Sequence, residues 1–475
     1  MDFDIILTTI KPTINEKEKV ESLADSMIDY INQNASEEGI PVEALLVGSV
    51  AKKTWLSGKA DIDIFLHFPL DTPLEQLKEQ GLFIGHKCIK HFSGTWEERY
   101  ASHPYVTGFI NGYSVDFVPC YAITSAKQLK SAVDRTILHT HYIKSNLKEN
   151  QINEVLLLKK FMEGLETYGS EFKVGGFAGY LCELLILKYN NFMGVLNAAA
   201  YLWKKGIIID LEDYKTGEMF DDSLVVVDPV DKNRNVASAL KLQKMAEFIA
   251  ASRNFLKSPS EDYFKNLTRC RDWSIIAEQF NSRSTKTYLI CFKPPEIPSD
   301  AIYPQLKKTE ISFNTKLDLE GFNIFKSGNW SDESNLAFII LEFGVWSLPD
   351  YKNHEGPRVW ENSHQERFLD KYGHNAWIEN DRWMVKIPQK YNNAKMMMEY
   401  LLSPENIHLL KVGKHLKDEI LKENYIIDIN EFLSVDGIKK SFPWVKDDYK
   451  KTDDVFLDLL EFLDDFLNPG KNLFR

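Results

Sequence analysis

The feature that most constrains this chain is a pair of aspartates on a segment with the pattern of a β-strand. Asp61 to Phe68 begins by alternating acidic with aliphatic residues, Asp61, Ile62, Asp63 and Ile64, which is the period of a half-buried strand. Because side chains alternate across a strand, Asp61 and Asp63 project from one face with their Cα atoms about 6 to 7 Å apart. Like charges this close repel each other, and divalent cations would neutralise them. A lone D-x-D is more often a solvated acidic face than a metal site, so neighbouring residues must decide.

Two neighbouring features favour the metal site. Leu45 to Val47 runs as a strand into Gly48-Ser49, where the glycine lets the backbone approach a phosphate and the serine hydroxyl can donate to its oxygens. Downstream, two strand-like runs flank Asn111-Gly112, the pair best suited to a type I′ hairpin turn, and Asp116 lies on the returning strand. These runs are Tyr105 to Ile110 and Tyr113 to Val118. Three carboxylates on adjacent strands are what two-metal catalysis needs, so the pattern predicts metal-assisted nucleotidyl transfer.

Helical patterns surround these strands. The spacing of Thr13 and Glu16 is that of a capping box before an amphipathic helix. Thr72-Pro73-Leu74-Glu75 repeats the box, with proline at the first helical position. After about residue 140 three apolar-rich runs without strand punctuation predict a helical second domain. They are Glu154 to Met162, Phe177 to Tyr189 and Val195 to Trp203.

The second half reads as a mixed region that starts near Ser258. Thr287 to Phe292 and Leu336 to Phe343 are predicted strands, and turn signals and aromatics are frequent. Apolar residues at helical spacing then predict a closing amphipathic helix with an acidic outer face. They are Phe456, Leu459, Leu460, Leu463 and Phe466. A chain of 475 residues with these patterns is predicted to be an α+β protein of two to four domains.

Composition sets the class of protein. The net charge of -12 argues against a nucleic-acid protein, but charge is segregated, with a basic stretch from Lys127 to Lys160 and an acidic one from Lys446 to Asp465. Five cysteines without a C-x-x-C pair favour free thiols over disulfides or zinc. The chain starts with acidic residues where a signal peptide has basic ones, and no run reaches the roughly 18 apolar residues of a membrane span. We therefore expect a cytoplasmic protein without a membrane segment.

The stretch GSVAKKTWLSGKADIDIFLHFP resembles the signature of the DNA polymerase β-like nucleotidyltransferases. Further stretches resemble archaeal-type (class I) tRNA CCA-adding enzymes, densely from about residue 40 to 240 and more thinly afterwards. They are HPYVTGF, YSVDFVPCY, KSAVDRT, FKVGGFAGYLCELLI, VVDPVDKNRNVA, IYPQL, HEGPRV and RFLDKYG. The resemblance covers the whole chain, which a shared catalytic motif alone would not produce.

The resemblance implies an α+β multidomain fold of four parts. The first is a nucleotidyltransferase catalytic head with a mixed β-sheet and helices, residues 1–142. A helical neck, 143–257, binds the base of the nucleotide and the primer end. An α+β body for RNA binding comprises 258–325 and 390–475, and a tail for the T arm of tRNA comprises 326–389.

The resemblance also implies roles for individual residues. Asp61, Asp63 and Asp116 become the ligands of two Mg²⁺ ions, and Gly48, Ser49 and Lys52 lie near the triphosphate. Four residues fall where the family contacts the sugar and phosphates of the nucleotide: Thr136, His139, Lys159 and Tyr168. Arg234 falls where an arginine of the family reads the incoming base. Without the resemblance, His139 could be a structural imidazole, Tyr168 core packing and Lys159 a solvated charge.

Two positions depart from the family pattern. Asp61 stands where the family usually has glutamate, which shortens the first ligand by one methylene. Lys52 replaces a common arginine and so exchanges a bidentate fork for a point charge. Aspartate and glutamate both bind Mg²⁺, so we expect activity to survive with aspartate at position 61. We expect the shorter ligand to shift the spacing of the metal ions or the metal preference.

The implied reaction is attack of a tRNA 3′-hydroxyl on the α-phosphate of CTP, twice, and then of ATP, with release of pyrophosphate and no nucleic-acid template. RNA binding would rest on contacts to the acceptor stem and T arm from the C-terminal parts, including IYPQL and Tyr372 to Lys390. The resemblance also allows a homodimer. The rival enzymes are a poly(A) polymerase or oligoadenylate synthase, and the rival from another class is a catalytically silent nucleotide-sensing or RNA-binding module.

Overall fold

The structure is a computed structural model that describes residues 1–100, 102–434 and 454–475. The chain forms two compact units. The first consists of Met1–Thr268 together with Gly470–Arg475, and the second consists of Arg269–Pro469. The predicted head (residues 1–142) and neck (residues 143–257) both lie in the first unit. Their boundary remains a prediction and falls inside a helix.

The first unit alternates helices with strands along the head and is mainly helical in the neck. Its elements are α1 (Phe3–Ile10), α2 (Ile14–Glu37), β1 (Glu43–Val47), α3 (Gly48–Lys52), β2 (Asp61–Phe68), α4 (Leu74–His91), β3 (Thr95–Tyr100), β4 (Pro104–Ile110), β5 (Tyr113–Tyr121), α5 (Arg135–Asn146), α6 (Glu149–Gly164), α7 (Gly179–Tyr189), α8 (Phe192–Tyr201), β6 (Ile207–Asp210), β7 (Leu224–Asp228), β8 (Asp231–Asn235) and α9 (Leu242–Lys257).

A five-stranded mixed sheet in the order β1-β2-β5-β4-β3 forms the centre of the head. Only the pair β2 and β5 is parallel, and the other neighbours are antiparallel. The predicted hairpin between β4 and β5 is confirmed, with Asn111 at φ 50° and Gly112 at φ 84°. Alternation along β2 buries Ile62 and Ile64 in the core that includes apolar residues of α2 and α4. The two aspartates of β2 therefore lie on the opposite face from this core.

The predicted caps and turns of the head are partly wrong. Thr13 caps α2, but the carboxylate of Glu16 accepts from Ser57 Oγ and Gly58 N, both at 2.8 Å, so it serves a loop instead of the helix end. Helix α4 begins at Leu74 with Pro73 at the cap position and no side-chain cap, because Thr72 lies one residue too early. The predicted turn after β1 is the one-and-a-half-turn helix α3.

The neck is built from α6 to α9, whose apolar residues share one core. The three predicted helical runs are confirmed as α6, α7 and α8, except that the second run starts two residues before α7 and the third ends two residues after α8. Its small sheet, in the order β6-β7-β8, was not predicted. Every residue of β7 is buried, including Asp228 at its end.

The six residues that follow the second unit in the chain pack back on the first. Asn472 Nδ2 donates to Leu165 O at 2.7 Å, and Leu473 O accepts from Asn254 Nδ2 at 2.9 Å and Tyr263 Oη at 3.1 Å. Leu473 also packs against the neck core. The first unit is therefore discontinuous in sequence.

The described residues of the second unit form two sheets with helices. Its elements are α10 (Trp273–Ser282), β9 (Lys286–Phe292), α11 (Ser299–Leu319), β10 (Ile324–Ser331), β11 (Ala337–Phe343), β12 (Tyr351–Arg358), α12 (Asn362–Tyr372), β13 (Ala376–Glu379), β14 (Arg382–Pro388), α13 (Ala394–Leu402), α14 (Lys414–Lys422), β15 (Tyr425–Asp428), α15 (Ile429–Phe432) and α16 (Asp454–Leu467).

The antiparallel sheet β10-β11-β9-β15 includes both strands predicted for this half. The expected start of the tail at residue 326 falls inside β10, whose pairing with β11 ties it to the body sheet. A separate sheet, β12-β14-β13, spans Tyr351–Pro388. The closing helix is confirmed as α16, since its five marker residues are all buried. Of the predicted acidic stretch from Lys446 to Asp465, residues 446–453 lie outside the described residues.

The cysteines are free, as predicted: Cys88, Cys120, Cys182 and Cys291 are buried and Cys270 is half-buried. In the described part of the chain, every helix is too short or too polar to cross a membrane.

Candidate active site

The parallel pairing of β2 with β5 brings the three aspartates together. Asp63 lies directly opposite Asp116, and Asp61 lies opposite Ser114. Because side chains two residues apart share a face, Asp61 and Asp63 project on the same side of the sheet as Asp116. The sequence predicted the three residues but not the parallel register that aligns them.

Burial and mutual repulsion make these carboxylates hard to ionise. Burial and the charges of Asp116 and Asp61 together raise the pKa of Asp63 to about 7, against the opposing charge of Lys52. Burial also raises the pKa of Asp61 and of Asp116, and in both cases the guanidinium of Arg99 opposes the rise. A nearby cation would relieve the repulsion and favour the ionised forms.

Gly48 fits against one of these carboxylates. Its φ is +71°, and a Cβ at this position would lie 1.8 Å from Asp63 Oδ2. The sequence led us to expect close approach to a phosphate, and the observed close approach is to a candidate metal ligand. Only glycine combines this φ with this contact.

A cavity of about 380 Å³ lies over the aspartates. Its wall includes seven of the predicted site residues: Ser49, Lys52, Asp61, Asp63, Asp116, Lys159 and Tyr168. Gly48, Thr136, His139 and Arg234 are not part of this wall. Gly48 lies close to the Asp63 carboxylate, and Thr136 lies on α5 with its carbonyl accepting from Thr140 Oγ1 at 2.9 Å.

His139 and Arg234 meet at a buried carboxylate, Asp228. His139 Nε2 lies 2.8 Å from Asp228 Oδ2, and Arg234 Nη1 donates to the same oxygen at 2.9 Å. Tyr180 Oη donates to Asp228 Oδ1 at 3.3 Å, and the Tyr180 ring stacks on His139 with centroids 4.0 Å apart. Tyr180 also lines the cavity, so it connects this cluster with the aspartates.

The charge state of this cluster follows from its partners. Burial lowers the pKa of His139 even though Asp228 opposes the change, so at neutral pH the imidazole is uncharged and donates its Nε2 proton. Burial by itself raises the pKa of Asp228, but the hydrogen bond from His139 and the charge of Arg234 outweigh it and lower the pKa. Asp228 therefore stays ionised and fixes both neighbours.

Lys159 is not the solvated charge that the sequence alone allowed. It is 2% exposed, and its Nζ donates to Thr54 O at 2.7 Å. Lys52 Nζ donates to Glu183 Oε2 at 2.6 Å. Tyr168 Oη and Lys159 Nζ both approach Gly179, where an added Cβ would lie 3.1 Å and 3.4 Å from them.

Sequence reasoning missed Arg99, Tyr180, Glu183 and Asp228. Glu183 is a lone acid in the apolar run GYLCELLI, and Asp228 ends the run LVVVD. Because a buried charge is costly unless paired, an acid inside an apolar run is a signal that could have identified both. Arg99 lies on β3, whose residues are all exposed, and no pattern distinguishes it there.

The aspartates match a divalent cation in donor type and in strand placement. Among the residues with described side chains, no group of three or more histidine, cysteine, aspartate or glutamate residues is already arranged to hold a metal ion. One oxygen of Asp116 accepts from Thr107 Oγ1 at 2.6 Å, which fixes its orientation.

Three family profiles match successive parts of the chain. They are described as nucleotidyltransferase domain (residues 28–139), tRNA nucleotidyltransferase, second domain (153–265), and CCA-adding enzyme, C-terminal domain (283–429).

Curated archaeal proteins are similar over nearly the whole chain. A CCA-adding enzyme of Methanothermobacter thermautotrophicus is 50% identical over 474 residues, which cover 100% of this chain and 99% of that protein. The CCA-adding enzyme of Methanocaldococcus jannaschii is 41% identical and covers 90% of this chain and 94% of its own length. That of Methanosarcina barkeri is 38% identical, with coverages of 83% and 87%.

Proposed function

This chain belongs to the archaeal CCA-adding enzymes, which add C, C and A to tRNA from CTP and ATP without a template, and from this premise we propose how its residues act. The alternatives of a poly(A) polymerase, an oligoadenylate synthase and a silent module are not favoured. The observation that carries the proposal is the parallel register of Asp63 with Asp116, in a cavity that two lysines also line.

We propose that Asp61, Asp63 and Asp116 hold two Mg²⁺ ions. Nucleotidyltransferases are generally metal-dependent, and each of the three carboxylates has a raised pKa, which a bound cation would counter by favouring the ionised form. Bound there, Mg²⁺ supplies charge neutralisation for the triphosphate and activation of the 3′-hydroxyl. Thr107 orients the Asp116 carboxylate, and the charge of Arg99 keeps Asp61 and Asp116 nearer to their ionised forms.

The cavity over the aspartates is proposed to hold the triphosphate. Ser49, Lys52 and Lys159 offer a hydroxyl and two ammonium groups, which suit phosphate oxygens, and Tyr168 lies beside Lys159. The reaction is then in-line attack of the tRNA 3′-hydroxyl on the α-phosphate, with pyrophosphate as leaving group. Positioning and charge neutralisation account for the rate.

Arg234 and His139 are proposed to act at the base and sugar, with Thr136 nearby on α5. Arg234 contacts Asp228 through Nη1, and a guanidinium has five N–H donors, so donors remain for a base edge. The Asp228 carboxylate holds that guanidinium through this one hydrogen bond. The planar donor set of arginine suits base selection by hydrogen bonding.

The second unit is proposed to bind the acceptor stem and T arm of tRNA. Exposed basic residues lie along Tyr351–Pro388, and the Arg358 guanidinium lies 5.8 Å from the exposed ring of Trp360. These basic residues are Lys352, Arg358, Arg367, Lys371 and Lys386. Such residues suit backbone and stacking contacts to A-form RNA. A homodimer and a cytoplasmic location remain predictions.

The reaction is tested with tRNA that lacks its 3′ end. CTP and ATP together should give a three-nucleotide addition that stops, and each triphosphate alone should give only the part it can supply. Long A-tracts from ATP alone would instead identify a poly(A) polymerase.

The metal site is tested with Asp116→Ala. We expect nucleotide addition to fall by at least about 10³-fold, because a ligand of the reacting centre is lost. Asp25→Ala, an exposed acid on α2, is the control and should keep wild-type activity. A wild-type rate for Asp116→Ala would reject the assignment of this carboxylate.

A further inference from the structure

Glu183 is a fully buried carboxylate in the cavity wall, and the proposed reaction leaves it without a role. Its Oε2 accepts from Lys52 Nζ at 2.6 Å, and its Oε1 accepts from Thr54 Oγ1 at 2.6 Å. The same Oε1 lies 4.0 Å from Lys159 Nζ. A carboxylate next to a triphosphate site repels the triphosphate, unless its main effect is on the lysines beside it.

These contacts join elements that are distant in sequence. Lys52 ends α3 and Thr54 follows it in the head, whereas Lys159 lies on α6 and Glu183 on α7 in the neck. Lys159 Nζ also donates to the carbonyl of Thr54 at 2.7 Å. One carboxylate thus fixes the segment after Gly48-Ser49 against two helices of the neck.

The network brings two ammonium groups to one wall and compensates their repulsion. The side chains of Lys52, Lys159 and Glu183 are 8%, 3% and 0% exposed, so water screens these charges weakly. Two cations and one anion leave this network of three side chains with a net positive charge. Each ammonium has three donors, and the bonds described leave donors on Lys52 for a phosphate.

We propose that Glu183 is a positioning residue that holds Lys52 and Lys159 as a pair against the triphosphate of either nucleotide. The inference rests on the proposed phosphate role of the two lysines. Burial lowers the pKa of Lys159 and the charge of Glu183 opposes this change, which agrees with a role in keeping the ammonium protonated. The base is not involved, so CTP and ATP should depend on Glu183 equally.

The test compares Glu183→Gln with Glu163→Gln. Glu163 is a matched control, since it also joins a head lysine to a neck lysine, Lys59 at 2.8 Å and Lys160 at 3.2 Å, but is not part of the cavity wall. We expect Glu183→Gln to raise the KM for CTP and for ATP alike by about 10-fold to 100-fold, the equivalent of one hydrogen bond to a charged group. The inhibition constant of pyrophosphate should rise in parallel, while the KM for tRNA and all constants of Glu163→Gln stay unchanged.

A double-mutant cycle with Lys52→Met separates positioning from a general loss of structure. If Glu183 acts through Lys52, Lys52→Met alone raises the nucleotide KM, and adding Glu183→Gln raises it little further. Additive effects, or a tRNA KM that rises as much as the nucleotide KM, overturn the inference.

The cycle also distinguishes this inference from the proposed function. If Lys52→Met raises the nucleotide KM and Glu183→Gln leaves it within about twofold of wild type, only the positioning role fails. If Lys52→Met has no effect on the nucleotide KM, the phosphate role of Lys52 fails and the inference fails with it. Should Glu183→Gln not fold by circular dichroism, Glu183→Asp decides. It keeps the charge on a shorter stem, and a wild-type nucleotide KM in that variant overturns the proposal.

Discussion

Replacing Gly48 by alanine tests whether the position of the Asp63 carboxylate limits the reaction. The new Cβ would lie 1.8 Å from Asp63 Oδ2 and 2.8 Å from its Cγ, whereas ordinary contact begins at 3.4 Å. The carboxylate oxygen must therefore retreat by about 1.6 Å, which is the difference between those two distances. The φ of +71° adds a conformational cost of about 1–2 kcal/mol for a residue with a Cβ.

The displacement should affect catalysis far more than stability. A misplacement of about 1 Å at a reacting centre can cost about 10²-fold, so we expect the kcat for nucleotide addition to fall by about 100-fold or more. Single-turnover addition of C to a tRNA without its 3′ end measures this loss directly. Thermal unfolding, monitored by circular dichroism, measures the conformational cost separately.

Gly39→Ala is the matched control for the conformational cost of placing a Cβ on a residue with positive φ. Gly39 has a φ of +67°, and no atom lies within 4 Å of an added Cβ, so this variant carries the conformational cost without the clash. We expect it to lose a similar amount of stability and to keep wild-type activity. If Gly48→Ala and Gly39→Ala are equally active, the geometry of Asp63 does not limit the reaction and our reasoning is refuted.

Three further predictions concern neighbouring groups. Thr107→Val removes the hydroxyl that orients Asp116 and helps to lower its pKa, so half-maximal activity should need a higher Mg²⁺ concentration, and Thr107→Ser should restore the wild-type value. Asp61→Glu restores the ligand length usual in the family, so the ratio of activity with Mg²⁺ to that with Mn²⁺ should change; an unchanged ratio would show that Asp61 does not set metal spacing. The pKa of Asp228 is lowered on folding, so its stabilisation is present above its unfolded pKa near 4 and is lost as pH falls through the lower folded value. Asp228→Asn should therefore lower the free energy of unfolding by about 1–3 kcal/mol at pH 7. Melting curves should show that this difference from wild type becomes smaller below about pH 4, and a difference independent of pH would contradict the prediction.

Local patterns predicted the elements of the site well. Period-two alternation identified β2, and Asn111-Gly112 identified the hairpin, because both signals depend only on neighbouring residues. The parallel register of β2 with β5 could not be derived this way, since it pairs strands separated by α4, β3 and β4. The assignment of Thr136, His139, Lys159, Tyr168 and Arg234 came from family resemblance, not from any spacing.

Features set by packing were beyond sequence reasoning. Helix α3 has five residues, too few to show a helical period, so it reads as a turn. The strands β6, β7 and β8 are short, and every residue of β7 is buried. They therefore lack the alternation of apolar and polar residues that marks a half-exposed strand. Lys159 reads as a surface lysine until Glu183 and Thr54 are seen beside it.

Because Gly470–Arg475 belong to the first unit, this unit cannot complete its folding early in synthesis. Met1–Thr268 emerges first, yet Asn472 and Leu473, which bond to the neck, are made only after the whole of Arg269–Pro469. At about 5–20 residues per second, roughly 200 intervening residues delay them by about 10 to 40 s. During that interval the nascent neck exposes the surface that Leu473 later covers, and the order of synthesis keeps the first unit unfinished until the second has been made.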